Sequence, residues 1–281
     1  MDHAEGDAVD ELLQCGGPSV APRRLQTTFI HPALKALVAE PIRYPQYAND
    51  VVLDPTGEGN GGMFDINKQE LDGLFRKAMR CSACFASGQL ARSLIDVAQP
   101  RWIGLRSGAA KPRVLIMITN PGAGENRRDD QDLKFRDALY KYSDNKTDIQ
   151  PVFSQQFGDM QNWNKLLSFY IYGFGLDLQE IALANVAWCG SKGDQHPSWM
   201  LNNCFERHTK ELPGLLKPEL VILGGRDAAG FRARIRGSFS SIQIEAVLHF
   251  AHRKGMDEQN KDIARVCDRL AATRRGVAQC P

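Results

Sequence analysis

The chain has 281 residues, 43% of them hydrophobic, with seven cysteines and a formal net charge of +2. That is enough apolar material for a full core, and length alone allows one large domain or two small ones. No run of about 18 apolar residues occurs, so no transmembrane helix is expected. The acidic start Met1-Asp-His-Ala-Glu-Gly-Asp7 lacks the apolar stretch of a secretory signal. The expectation is a cytoplasmic protein with no membrane partner, in which any nucleic-acid footprint is local. Cysteines in a reducing compartment point to a metal or cluster site rather than a disulfide framework.

Residues 1–60 read as an irregular extension. They carry scattered prolines and the glycine-rich Gly57-Glu-Gly-Asn-Gly-Gly62, broken by one short helical pattern from Pro32 to Ala39. Residues 61–281 read as one α/β domain. It opens with a helix from Asp65 to Arg80, with Leu71, Leu74, Phe75 and Ala78 on one face. The helix leads into Cys81-Ser-Ala-Cys84. The run Val114-Leu-Ile-Met-Ile118 has the composition of a buried parallel strand and ends in Asn120-Pro121-Gly122. Pro121 fixes its own φ and holds Asn120 extended, and Gly122 and Gly124 let backbone approach a ligand. Open α/β sheets bind ligands at this carboxyl edge, so Asn120 is the first polar side chain presented there.

Helices are expected from Asp130 to Tyr142 and from Asp159 to Tyr172. A strand follows from Ile181 to Ala187, a helix from Ser198 to Leu216 and a strand at Leu220–Leu223. The last elements are a helix from Asp227 to Ile235, a strand from Ile242 to Leu248 and a helix from Met256 to Ala272. Strands alternating with helices predict a three-layer α/β/α sandwich around a mainly parallel sheet of about four strands.

Cys81 and Cys84 form one C-x2-C pair. Cys189, just past a strand, and Cys204, in the next helix, form a looser second pair. Four thiolates suit zinc or an iron–sulfur cluster. Zinc ribbons pair tight knuckles close in sequence, so pairs this distant favour a cluster over zinc. Four buried free thiols are the bland alternative. Cys15, Cys267 and Cys280 have no partner at meaningful spacing.

Taken in order, Cys81-Ser-Ala-Cys84, Asn120-Pro-Gly-Ala-Gly-Glu125, Asn185-Val-Ala-Trp-Cys189, Cys204, Pro218-Glu-Leu-Val-Ile-Leu-Gly224 and Ala251-His252-Arg253 resemble the uracil-DNA glycosylase superfamily, above all its iron–sulfur branch. The resemblance covers about residues 75–272. Two departures mark a divergent member. Thr119-Asn-Pro-Gly stands where that branch usually has Glu-Ala-Pro-Gly, and His252-Arg253-Lys254 replaces its His-Pro-Ser motif.

The resemblance implies a monomeric enzyme that hydrolyses the N-glycosidic bond of uracil or a related deaminated base in DNA, the opening step of base excision repair. It implies a structural 4Fe-4S cluster on Cys81, Cys84, Cys189 and Cys204. Cleaving that bond builds positive charge on the sugar and negative charge on the departing base, from a nucleotide taken out of the stack. By the resemblance Asn120 positions the attacking water and Asn185 reads the base edge. His252 donates to the base oxygen, with His249 its competitor. Phe157, ahead of a helix, stacks on the flipped base, with Phe153 its competitor. Gly122 and Glu125 belong to the pocket wall. Arg253 and Lys254 meet DNA phosphates, and the arginines at 226, 232, 234 and 236 form a second basic group. The altered third motif motivates an alternative, a non-catalytic iron–sulfur protein that binds nucleic acid on the same fold.

Overall fold

The computed structural model describes residues 68–104, 112–121, 131–161, 166–251 and 256–278, and the extension expected over residues 1–60 lies outside them. The first helix, α1 (Lys68–Met79), buries Leu71, Leu74, Phe75 and Ala78. This is the stripe that its apolar spacing dictates. On its other side Arg76 pairs with Asp72 at 2.7 Å and lies 4.1 Å over the Tyr142 ring. Next come strand β1 (Val114–Ile118), helices α2 (Gln131–Ser143) and α3 (Gln150–Gln161), and a π-helical segment at Leu167–Tyr172. Strand β2 (Ile181–Asn185) leads to helices α4 (Ser198–Arg207) and α5 (Leu212–Leu216). Strand β3 (Leu220–Gly224), short helices α6 (Arg226–Ala229) and α7 (Arg232–Ser238), strand β4 (Gln243–Val247) and the long α8 (Met256–Ala278) complete the chain.

The strands form one sheet in the order β2-β1-β3-β4, and every pairing is parallel. The chain is thus an α/β protein with helices flanking a four-stranded parallel sheet. Val114 to Met117 and Val221 to Leu223 are completely buried, as the inner strands of a sheet covered on both faces must be. From β1 the chain first moves outward to β2, then returns past β1 to β3. Right-handed crossovers therefore put α2 and α3 on one face and α4 to α7 on the other. The reversal makes the carboxyl edge between β1 and β3 the switch point where the following loops diverge and leave a crevice. The outer edge of β2 is not open. Trp102 to Gly104 runs antiparallel along it, with Leu183 N–H donating to Trp102 O at 2.7 Å and Gly104 N–H to Ile181 O at 2.8 Å.

Glycine is required at the end of β3. A Cβ on Gly224 would lie 2.0 Å from Tyr170 Oη, which donates to Leu248 O at 3.0 Å. Gly225 then turns the chain with φ of 95° beside His249.

Three expected helices differ from those observed. The helix expected over Asp159–Tyr172 is instead α3, which starts at Gln150, and a separate π-helical segment. The one expected over Ser198–Leu216 breaks at His208, whose φ of −139° and ψ of −55° are not helical. The break is held by Thr209, whose hydroxyl donates to Val186 O at 2.8 Å and draws the chain back to β2. The one expected over Asp227–Ile235 divides between α6 and α7 around Gly230. Among the described residues no helix is long and apolar enough to cross a membrane.

Candidate functional site

Cys81 sits in the turn that ends α1, where its N–H donates to Ala78 O at 3.0 Å, and Ser82 O then accepts from Phe85 and Ala86. The loop beyond the C-x2-C pair is stitched to the loop after β2. Ser93 N–H donates to Gly190 O at 3.2 Å, Lys192 N–H to Ala91 O at 2.9 Å and Gln99 N–H to Trp188 O at 2.7 Å. These bonds carry Cys81 and Cys84 to Cys189. The buried face of α4, with Met200, Leu201 and Phe205, supplies Cys204. All four cysteines, with Ala78, Phe85, Ala98, Arg207 and His208, line one cavity. Among the described residues no three His, Cys, Asp or Glu side chains are placed so as to close on a single metal ion.

Burial raises the pKa of Cys84 and pushes that of Cys189 to about 12, and it also raises Cys204. The cause is loss of water around a thiolate, reinforced by the other thiols. The surroundings nonetheless favour sulfur carrying charge. Asn203 Nδ2 donates to Cys84 Sγ at 3.4 Å, and the Trp188 amide donates to Cys204 Sγ at 3.2 Å. Arg92 and Arg207 pull in the same direction as these donors. Arg92 is fixed by bonds to Asp96 O at 2.6 Å and Cys81 O at 3.1 Å and by the Phe85 ring. Four thiols, N–H donors aimed at sulfur and two flanking guanidinium groups fit a thiolate-bound metal cluster, whose ligand sulfurs need such partners. Bound metal would reverse the cost of ionising the thiols.

His208 is the unexpected member of this wall. It is buried, and neither ring nitrogen has a hydrogen-bond partner among the described residues. Loss of solvent lowers its pKa to about 4, so the imidazole is neutral near pH 7.

The second cluster of polar groups lies along the carboxyl edge of the sheet. Ile118 pairs with Asn185, and the ladder continues beyond both strands, with Val186 N–H donating to Ile118 O and Ala187 N–H to Thr119 O. Asn185 closes β2 and is 1% exposed, yet neither its Nδ2 nor its Oδ1 has a partner among the described residues. Buried amides are normally satisfied, which sets this one apart from the rest of the sheet. Asn120 is half-buried two residues past β1, and its Nδ2 donates to Asp194 Oδ1 at 2.7 Å. Asp194 occupies the left-handed region at φ 54°. Its carbonyl meets His196 Nδ1 at 2.9 Å, and His196 Nε2 lies 3.5 Å from Asp227 Oδ2 at the start of α6. The loops after β1, β2 and β3 thus meet through Asn120, Asp194, His196 and Asp227.

Asp194, His196 and Asp227 were not among the residues expected from sequence. The only signal for Asp194 is the Lys-Gly-Asp-Gln run between a strand-end cysteine and Pro197, which reads as an ordinary turn. Other expectations are redrawn. Phe157 lies within α3 rather than ahead of a helix. Phe153 is a core residue, edge-on to Phe75 and Trp102 at 6.4 and 6.0 Å. His249 follows β4 with its ring against Phe250 at 4.3 Å, and its Nδ1 accepts from Ala251 N–H at 3.2 Å. The arginine group is held to different degrees. Arg232 donates to Ile244 O, and Arg234 is held by Asn202 and the Phe231 ring, while Arg226 is fully exposed. Gly122, Glu125, His252, Arg253 and Lys254 lie outside the described residues.

Comparison with protein-family models and with curated proteins finds no match to this chain.

Proposed function

We propose that the chain is a monomeric DNA glycosylase of the uracil type, which hydrolyses the bond between a deaminated base and its sugar and leaves an abasic site. The observation that carries the reading is the Asn185 amide, buried at the carboxyl end of β2 with its acceptor and donor both unmatched among the described residues. An amide offers one acceptor and a donor pair side by side, the complement of a uracil edge, and a base drawn out of the stack would satisfy both. Asn120 supports it from the neighbouring strand. With its Nδ2 given to Asp194, its Oδ1 remains the natural acceptor for a water proton. A sugar that is already cation-like needs an oriented water more than a strong base. The Asp194 carboxylate adds negative charge close to that water, which favours the cationic transition state over the neutral ground state.

In this reading His252, or His249, donates to the departing base oxygen, and Phe157 stacks on the base. Gly122 and Glu125 border the pocket, and Arg253 and Lys254 hold phosphates. Cys81, Cys84, Cys189 and Cys204 would hold a 4Fe-4S cluster. Bound there, it supplies a tie between the end of α1, the loop after β2 and α4.

The test is strand cleavage by anaerobically purified protein. Oligonucleotides carrying uracil, hypoxanthine or a mismatch are incubated with the protein, and alkali reveals abasic sites. Cleavage of at least one substrate is expected, with a loss of about 100-fold or more in Asn120→Ala. A folded protein that cleaves none of them, while binding the same DNA, would sink the enzyme reading.

A further inference from the structure

The His208 imidazole poses a specific problem of satisfaction. A neutral imidazole carries one N–H donor and one acceptor, and leaving both unmet in a buried site costs free energy that folding seldom concedes. The position is not loosely held. His208 N–H donates to Cys204 O at 3.0 Å, which fixes its backbone one helical turn beyond a cysteine of the cavity. The next residue, Thr209, is completely buried and pinned to the β2 loop through Val186 O. The Trp188 ring lies against the imidazole at 6.1 Å between centroids, tilted by 40°. The helix expected to run straight through this point is broken to achieve the placement. A ring so fixed, lining a cavity with four thiols, has sulfur as its obvious partner.

We infer that His208 is a fifth residue of the thiol site, donating a ring N–H to a sulfur of the bound cluster and so raising its reduction potential. The inference rests on the proposed cluster. It assigns His208 a positioning and tuning role toward sulfur, beside the Asn203 and Trp188 donors already aimed at Cys84 and Cys204. Hydrogen bonds to sulfur stabilise the more negative, reduced state more than the oxidised one, so each raises the potential.

The experiment uses the full chain, reconstituted anaerobically with iron and sulfide, as wild type, His208→Leu and His208→Gln. Iron content and midpoint potential are read for each. The expected result is a similar iron load in all three, a lower potential in His208→Leu, and a potential nearer to wild type in His208→Gln, which keeps an N–H donor. An unmoved potential in a loaded His208→Leu protein overturns the inference while leaving the cluster intact. Wild-type protein that takes up no iron overturns the cluster reading and this inference together. Should His208→Leu fail to fold, pulsed electron paramagnetic resonance on reduced wild type with 15N-labelled histidine gives the answer. A histidine nitrogen coupled to the cluster supports the hydrogen bond, and its absence refutes it.

Discussion

Replacing Asn185 by valine should make the protein more stable and, on the proposed reading, inactive. The Asn185 side chain is 1% exposed, and both of its polar atoms lack a partner among the described residues. Burying an amide without hydrogen bonds costs about 1–3 kcal/mol by the measure of protein mutants. Valine removes that cost and suits a buried strand, though its extra bulk takes back about 1 kcal/mol. The backbone bonds of residue 185 are untouched, because the ladder to β1 and the Thr209 hydroxyl use main-chain atoms. The net expectation is a gain of up to about 2 kcal/mol, or a rise in Tm of up to about 8 °C for a domain of this size. Urea unfolding followed by circular dichroism measures it, as a higher midpoint with an unchanged slope. A loss of about 1 kcal/mol or more would refute the reasoning, since it would mean the amide is already satisfied in the folded protein. A stabilised variant that has lost base excision would carry the signature of a residue kept for binding at the expense of stability.

Other consequences are equally open to measurement. Gly224→Ala forces Tyr170 off its seat and breaks its bond to Leu248 O, and should cost about 2–4 kcal/mol in urea unfolding. Asp194→Ala frees the Asn120 amide to rotate, and steady-state kinetics should show kcat down by about tenfold, equivalent to about 1.4 kcal/mol, with KM little changed. Glu245 is buried where Arg265 and Arg269 reach it at 3.2 and 3.0 Å, joining β4 to α8. Because both arginines are half exposed and can return to water, Glu245→Ala should lower stability by only about 1–2 kcal/mol in the same unfolding assay. Serine at Cys84, Cys189 or Cys204 should reduce bound iron, whereas serine at Cys267, which approaches Gly173 O at 3.6 Å on the far end of the chain, should not.

Features that rest on local chemistry were readable in the sequence. The β-branched run of β1 and the apolar spacing of α1 each say what they form, and the alternation of strands and helices implies a parallel sheet. The meeting of two distant cysteine pairs was legible only through their order along the chain. The bonds that achieve it, such as Ser93 to Gly190, run between backbones of irregular loops and leave no mark in composition. The start of α3 also leaves a mark in the sequence. Asp148 accepts from Gln150 N–H at 3.0 Å and Pro151 stands in the first turn, a common helix opening. The break at His208 could not be read, because Thr209 is drawn toward the carbonyls of Asn185 and Val186 at the end of β2 and opens a separate 3-10 turn. For the same reason His208 and Asp194 looked ordinary. Their significance lies in what surrounds them after folding.

The proposed cluster requires four thiols from two distant segments to share one cofactor. Anaerobic purification followed by iron, zinc and acid-labile sulfide determination tests this. The expected result is a brown protein with about four iron and four sulfide per chain, and a colour lost in Cys189→Ser. Colourless protein carrying zinc alone, or folded protein that takes up neither metal after reconstitution, would contradict it.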